Sequence, residues 1–371
     1  MRALRNIMTL MMKEFRSLFG DPTLIILIVF VFTGAIVSVA KGISTDVKNA
    51  TVGIIDLDRS VLSYQIRDAI QPPFFQTPKE ITREQLDELM DKGEYIFVLE
   101  IPPEFERDVL AGRSPEINLL IDATVMTQAG VGSSYLTQII NREVNAFAAQ
   151  SGASPVNAVI RQSFNPNGES TWFMPVMEVG SMVTMITLVL VGAAVIRERE
   201  RGTIEHLLVM PVSAFELMMS KILANGAVIL TAAVLSMWFV VHEFIGVPLH
   251  GSLLLYAAGV TVYLFSIASL GIMLATVAPT MAQFGLLMLP VYIVMLLFSG
   301  ASSPRANMPE FARAVSEYWP LTQFAQFAQN VLFRGAGLNI VWPQMAVMAV
   351  LGAAFLGFAL FRFRKMLEQQ G

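Results

Sequence analysis

Apolar positions fall into two patterns along the chain. In six stretches, roughly 22–41, 173–196, 217–241, 253–277, 281–299 and 343–361, nearly every residue is apolar. Each is about as long as the 20 residues a helix needs to cross a hydrocarbon core of about 30 Å. Residues 42–171 differ: short apolar runs alternate with polar, turn-forming segments. The pattern predicts an α-helical integral membrane protein with six transmembrane helices and an extracytoplasmic α/β domain inserted between the first and second spans.

The punctuation supports these boundaries. The first span begins at Pro22 and ends before Lys41, and charge closes the second at Arg197 and the sixth at Arg362. Only the short uncharged turn APTMAQ separates the fourth from the fifth. Ahead of the first span, IMTLMMKEFRSLFGDP gathers Ile7, Met8, Met11, Met12, Phe15, Leu18 and Phe19 on one helical side, with Lys13, Glu14 and Arg16 on the other. Residues 1–21 are therefore expected to lie in the membrane interface as an amphipathic helix, which Gly20-Asp21-Pro22 ends. The run after Pro22 is long enough to span and has no small-residue cleavage site behind it, so a secretory signal is not expected.

Within 42–171, TVGIIDLD, EYIFVLEIP and EINLLIDA read as strands. DRSVLSYQIRDAI reads as a helix capped by Ser60, and TREQLDELMDKG as one opened by a Thr82–Gln85 capping box and closed by Gly93. EFERDVLAG and TVMTQAGVGSSYLTQIINREVNAFAAQ complete an alternating α/β order. Asp56, Asp58, Glu100 and Asp122 sit at strand ends, where sites often lie. No GxSxG, HExxH or glycine-rich phosphate loop accompanies them, and acids there commonly cap the next helix. A docking or gating domain is expected, not a catalytic one.

Composition narrows the function. The chain is 54% hydrophobic and 15% charged, with a mean hydropathy of +0.59, against about 25% charged for a soluble domain. It has no cysteine, which excludes disulfides and thiolate metal sites, and its three histidines, 206, 242 and 250, are scattered. Residues 42–171 carry 10 Lys and Arg against 18 Asp and Glu, a net −8, the wrong sign for nucleic acid. Elsewhere Arg2, Arg5, Lys13, Arg16, Arg197, Arg199, Arg201, Lys221, Arg362, Arg364 and Lys365 collect on one side if the N-terminus is cytoplasmic. The positive-inside rule therefore predicts cytoplasmic N- and C-termini, and places the segment 300–342 outside.

The stretch after the second span, RERERGTIEHLLVMP, is then cytoplasmic. Gly202 permits a turn, Thr203 can cap a short helix with Glu205 in its first turn, and Ile204, Leu207 and Leu208 give it an apolar side until Pro211. Ser213 and Glu216 form a second capping box that opens the third span. A plain turn between spans needs neither a charged entry nor an apolar contact face. This segment resembles the pattern E-R-E-x-G-T-x-E-x-L-L-x-x-P of permease subunits of type-2 ABC exporters, matching at Glu198, Arg199, Glu200, Gly202, Thr203, Glu205, Leu207, Leu208 and Pro211. Ser220 stands where many relatives have glycine before the lysine. The segment 299–338, with Gly300, Pro304, Pro309, Pro320, Leu321, Thr322 and Gly335, is similar to the family's outer hairpin.

The resemblance implies a bacterial inner-membrane permease of the drug-efflux type. Its coupling helix, 203–210, would dock on a separate ABC ATPase subunit, and its outer hairpin, 300–342, would cap a central cavity. ATP and Mg would be held by that ATPase, since this chain has no Gly-Lys pair and so no Walker A loop. A second permease copy or paralogue and a periplasmic adaptor are expected partners, and nucleic acid is not. Ionisable residues are missing from the interiors of spans one, four, five and six, which disfavours ion coupling through the core. Glu178, near the outer end of span two, is a candidate for the substrate path. The 22 methionines and 25 phenylalanines read mainly as packing or lipid-facing residues. The rival reading is a membrane-anchored receptor or assembly scaffold whose outer domain binds a ligand or protein, which would tolerate changes in 203–210.

Overall fold

A chain that is apolar on all sides can satisfy its backbone hydrogen bonds inside lipid only as helix. Among the described residues, six helices are long and apolar enough to cross a membrane: span 1 (Pro22–Lys41), span 2 (Trp172–Glu200), span 3 (Ala214–Phe244), span 4 (Leu253–Val277), span 5 (Met281–Phe298) and span 6 (Leu338–Phe363). The computed structural model describes residues 2–42, 49–113, 115–122, 126–150, 170–200, 212–301, 305 and 308–368. It divides into one unit of Met1–Ile43 with Thr171–Gly371, and another of Ser44–Ser170.

In the helical unit, spans 2 and 4 form the centre, with 78% and 67% of their apolar windows buried; spans 1, 5 and 6, at 28%, 22% and 22%, lie outside them. Glycine lets rings enter between the helices. A Cβ on Gly259 would lie 2.0 Å from Phe327 Cζ, and one on Gly192 2.0 Å from Phe284 Cζ. Gly271 makes an ordinary contact with Leu188, while Gly285 faces open space. Helix α1 (Arg2–Phe19) ends before Gly20, and Asp21 caps span 1 by accepting from the amides of Thr23 and Leu24 at 3.1 and 3.3 Å. The expected break is therefore present. Spans 1 and 3 each contain a π-helical segment, Val31–Ala35 and Ser236–Phe244. Ser236 Oγ donates to the Phe32 carbonyl across the two segments at 2.5 Å.

The second unit holds a four-stranded sheet in the order β2-β1-β3-β4. Strands β1 (Val52–Asp56), β2 (Lys79–Glu80) and β3 (Phe97–Ile101) are parallel, and β4 (Asn118–Ile121) runs antiparallel to β3. β3 is buried along its whole length, and one face of the sheet packs Val52, Ile54, Phe97 and Leu99 with Leu62, Ile66 and Leu136. The other face packs Ile55 and Val98 with Ile81 and Tyr95. Burial on both faces explains the unbroken apolar runs. The short β2 lies in a stretch the apolar pattern leaves as loop.

Helices α2 (Val61–Ala69), α3 (Leu86–Asp91) and α4 (Phe105–Leu110) connect the strands, and α5 (Met126–Gln150) follows β4. Ser60 caps α2 in a box with Ser63. Asp56 accepts from the Asp58 and Arg59 amides and from Ser63 Oγ, and Asp58 accepts the Glu106 amide at 3.0 Å. These two acids work as caps and turn formers. The Thr82–Gln85 box forms by half: Gln85 Oε1 accepts the Thr82 amide at 3.2 Å, and α3 begins only at Leu86. Gly93 and Gly112 follow α3 and α4 at φ +67° and +70°, a conformation that costs glycine little.

Two further helices, α6 (Glu310–Ser316) and α7 (Pro320–Leu332), precede span 6. α7 is inserted into the helical core, with Phe324 stacked on Tyr263 of span 4 at 4.3 Å between ring centres.

Candidate functional site

Span 2 continues as one helix to Glu200, so the charges of its last turn project beyond the apolar stretch. Each of these charges is bonded within the bundle. Glu198 Oε1 lies 3.0 Å from Lys221 Nζ and 3.2 Å from Lys13 Nζ, and Lys221 Nζ also lies 2.8 Å from Glu14 Oε1. Arg199 Nη1 donates to the carbonyl of Ala278, just past the end of span 4, at 3.3 Å. Glu200 Oε1 accepts the amide of Met281, the first residue of span 5, at 3.0 Å. Both bonds satisfy helix-end groups that have no partner inside their own helix, with the sign the helix dipole favours. Arg197 Nε turns back to the Ala193 carbonyl at 3.3 Å.

Lys221 is the centre of this arrangement. Its side chain is 1% exposed, and those of Glu14 and Glu198 are 13% exposed. An ammonium buried this deeply is tolerated only with counter-charges and hydrogen bonds. Two carboxylates, from α1 and from span 2, supply them.

One turn earlier on span 3, Ser213 Oγ accepts the Glu216 amide while Glu216 Oε2 accepts the Ser213 amide, completing the expected capping box. Asn6 Nδ2 of α1 also donates to Glu216 Oε2, at 3.4 Å. Helix α1 is thus joined to span 3 at Asn6 and at Glu14, and to span 2 at Lys13.

At 100° per residue, α1 has three sides. Asn6, Leu10, Glu14, Ile7, Leu18 and Met11 face the bundle, and all are at least partly buried. Leu4, Met8, Phe19 and Met12 form an exposed apolar side. Arg5, Arg16, Thr9, Arg2 and Lys13 form the polar one. The expectation that Glu14 sits with Lys13 and Arg16 is corrected here. Glu14 lies about 100° from Lys13 around the helix and turns inward to Lys221.

Of the residues singled out by sequence, Glu198, Arg199 and Glu200 are brought together at this end of the bundle. Gly202, Thr203, Glu205, Leu207, Leu208 and Pro211 lie outside the described residues. Glu178 is half-buried and far from the cluster, 19 residues before Arg197, about 28 Å along the helix. Asn6, Glu14 and Lys221 are contributors that sequence reasoning missed as a set. Two signals for them were available: a lysine two turns inside an otherwise apolar span, and an acid that falls between Leu10 and Ile7 around α1. Among the described residues, no group of three or more His, Asp or Glu is placed to hold a metal.

A family model described as "ABC-2 family transporter protein" matches residues 23–361. The chain is 45% identical over 368 residues to the inner membrane transport permease YhhJ of Escherichia coli K12, covering 98% of each protein. It is 23% identical over 365 residues to the probable multidrug ABC transporter permease YbhR of the same strain, covering 96% of this chain and 98% of that one. To the probable multidrug ABC transporter permease YbhS it is 24% identical over 373 residues, 98% of each. With six spans and a family match over nearly its full length, the chain belongs to the ABC-2 family of transporter proteins, as a multi-span membrane permease.

Proposed function

We propose that this permease is the membrane subunit of an ATP-driven exporter of hydrophobic or amphipathic compounds, drugs among them. A separate ABC ATPase subunit hydrolyses the nucleotide, and residues 203–210 dock on it as a short cytoplasmic coupling helix. The permease works as a pair with a second copy or a paralogue in the bacterial inner membrane, with both termini cytoplasmic. Residues 42–171 then lie on the periplasmic side, where their net charge of −8 offers a face for an adaptor protein, and the segment 300–342 caps the outer end of the path. Family membership and the names of two relatives as probable multidrug permeases support this reading.

The observation that carries it is the anchoring on either side of residues 201–211. Before them, Glu198, Arg199 and Glu200 are bonded to span 3, to the end of span 4 and to the start of span 5. After them, Glu216, held in its capping box with Ser213, and Lys221 tie span 3 to α1. A displacement of the intervening segment by a partner would reach four spans and the interfacial helix together. A receptor or scaffold has no use for such linkage.

The test is to co-purify the chain with the ATPase subunit and measure stimulated hydrolysis. Glu205→Lys and Leu208→Asp are expected to abolish association and stimulation while leaving the permease monodisperse. Both variants associating and stimulating like the parent would refute the docking role.

A further inference from the structure

Span 2 is the most buried of the six spans, yet it is partly exposed along one line. Between Pro175 and Ile196, every residue is buried except Glu178, Met182, Met185 and Val189. Their spacing of four, three and four places them within about 60° of one another on the helix, in a strip about 16 Å long. The strip begins with a carboxylate and continues with two thioethers and a valine. Tyr292 of span 5 is an electrostatic neighbour of Glu178, and Met177, beside Glu178 in sequence, accepts from Gln329 of α7 through its sulfur at 3.7 Å.

Glu178 is unusual on two counts. It lies about 9 Å inside the start of span 2, whereas the other acids within the candidate spans, Glu198, Glu200, Glu216 and Glu243, lie near the span ends. Among the described residues it has no ion pair or hydrogen-bonded cation, unlike Glu14 and Glu198, which share Lys221. A carboxylate at membrane depth is costly unless it meets water or a positive charge, and such residues mark functional sites by default. A proton relay would need further titratable groups in sequence, and spans 1, 4 and 5 offer no Asp, Glu or His for one. A positive charge on a bound molecule answers the cost directly.

We propose that Glu178, Met182, Met185 and Val189 form a binding strip for an organic cation with an apolar body, the carboxylate taking the charge and the two methionines and valine the body. Methionine suits this role because its flexible, polarisable side chain adapts to varied apolar shapes. The proposal deepens the export reading by naming a substrate class, and rests on that reading for the consequence of binding, though the binding step itself needs no nucleotide.

The test uses the full chain in discs of phosphatidylcholine, with tetraphenylphosphonium and tetraphenylborate as probes of matched shape and opposite charge. Equilibrium dialysis against protein-free discs isolates saturable binding. The parent chain is expected to bind the phosphonium saturably and the borate not at all. Glu178→Gln is expected to lose at least about tenfold in phosphonium affinity, the scale of one Coulombic contact away from bulk water, and Glu178→Asp to stay within a few-fold of the parent. No saturable phosphonium binding by the parent, equal binding of the borate, or unchanged affinity in Glu178→Gln each overturns the proposal. So does Glu178→Asp falling as far as Glu178→Gln with both variants monodisperse, because carboxylate charge would then not be the determinant. Phosphonium binding as expected, with no ATP-driven movement by the assembled complex, would refute the export reading alone. Export of neutral compounds unaffected by Glu178→Gln, with no phosphonium binding, would refute the cation strip alone.

Discussion

Replacing Lys221 with methionine tests whether the charge cluster holds the Glu198 end of the bundle together. Lys221 is 1% exposed and contacts two carboxylates, each 13% exposed. Methionine fills a similar volume, so packing loss is small and the electrostatic change dominates. Glu14 and Glu198 are left close together with their shared cation gone. Breaking a buried pair by removing one partner costs about 3–5 kcal/mol. Lys13 provides the contrast: it contacts the same Glu198 oxygen, but it is 62% exposed, and a solvated pair contributes below about 1 kcal/mol. The sharper expectation concerns a second replacement. Lys221→Met with Glu14→Leu removes one of the stranded charges and leaves Glu198 with Lys13. It should recover about 2–3 kcal/mol of the loss, within the range of coupling measured between contacting residues. The assay is unfolding of the purified chain in mixed micelles, followed by emission of its 4 tryptophans. Lys221→Met within 1 kcal/mol of the parent, or a double variant no more stable than the single, would refute the reasoning.

Three further outcomes follow from the packing and capping of the helices, read by the same unfolding measurement. Gly251→Ala places a Cβ 1.8 Å from the Val331 carbonyl oxygen, a backbone atom that cannot rotate away; a loss of about 3 kcal/mol or more is expected, at the top of the range for overpacking. Gly226→Ala, inside span 3 with nothing within 4 Å, should instead gain about 0.5–1 kcal/mol. Ser213→Ala removes the acceptor for the Glu216 amide and should cost about 1 kcal/mol, with faster amide exchange confined to the first turn of span 3.

What could be read from the sequence was what is encoded locally. The six spans are compositional, and the caps at Ser60, Asp21 and Ser213 are signalled within three residues of the amides they bond. Contacts between distant segments were not legible. Glu14 meets Lys221 across 207 positions and Lys13 meets Glu198 across 185, and nothing local pairs them. Sorting residues by type put Glu14 with the solvated charges, whereas its angle around α1 puts it on the bundle side. The two π-helical segments carry no local signature either, and they meet through Ser236 and the Phe32 carbonyl, 204 positions apart. Strand β2 has only two residues, Lys79 and Glu80, both exposed, so no apolar alternation marks it; its pairing with β1 defines it. Glu178 was visible as an acid in an apolar span. The strip it heads needed the burial of its neighbours, because Met182, Met185 and Val189 look like any other apolar residues of span 2.

The account depends on residues 203–210 touching an ATPase from the cytoplasm. The chain has no cysteine, so Leu207→Cys carries the only thiol in the permease. The decisive measurement is cross-linking of that thiol to the ATPase subunit in inverted membrane vesicles, alongside labelling by a membrane-impermeant maleimide. The account predicts a cross-linked permease–ATPase band, and maleimide labelling in inverted vesicles that the docked ATPase blocks. Labelling only from the opposite face, with no cross-link under any nucleotide condition, would contradict it.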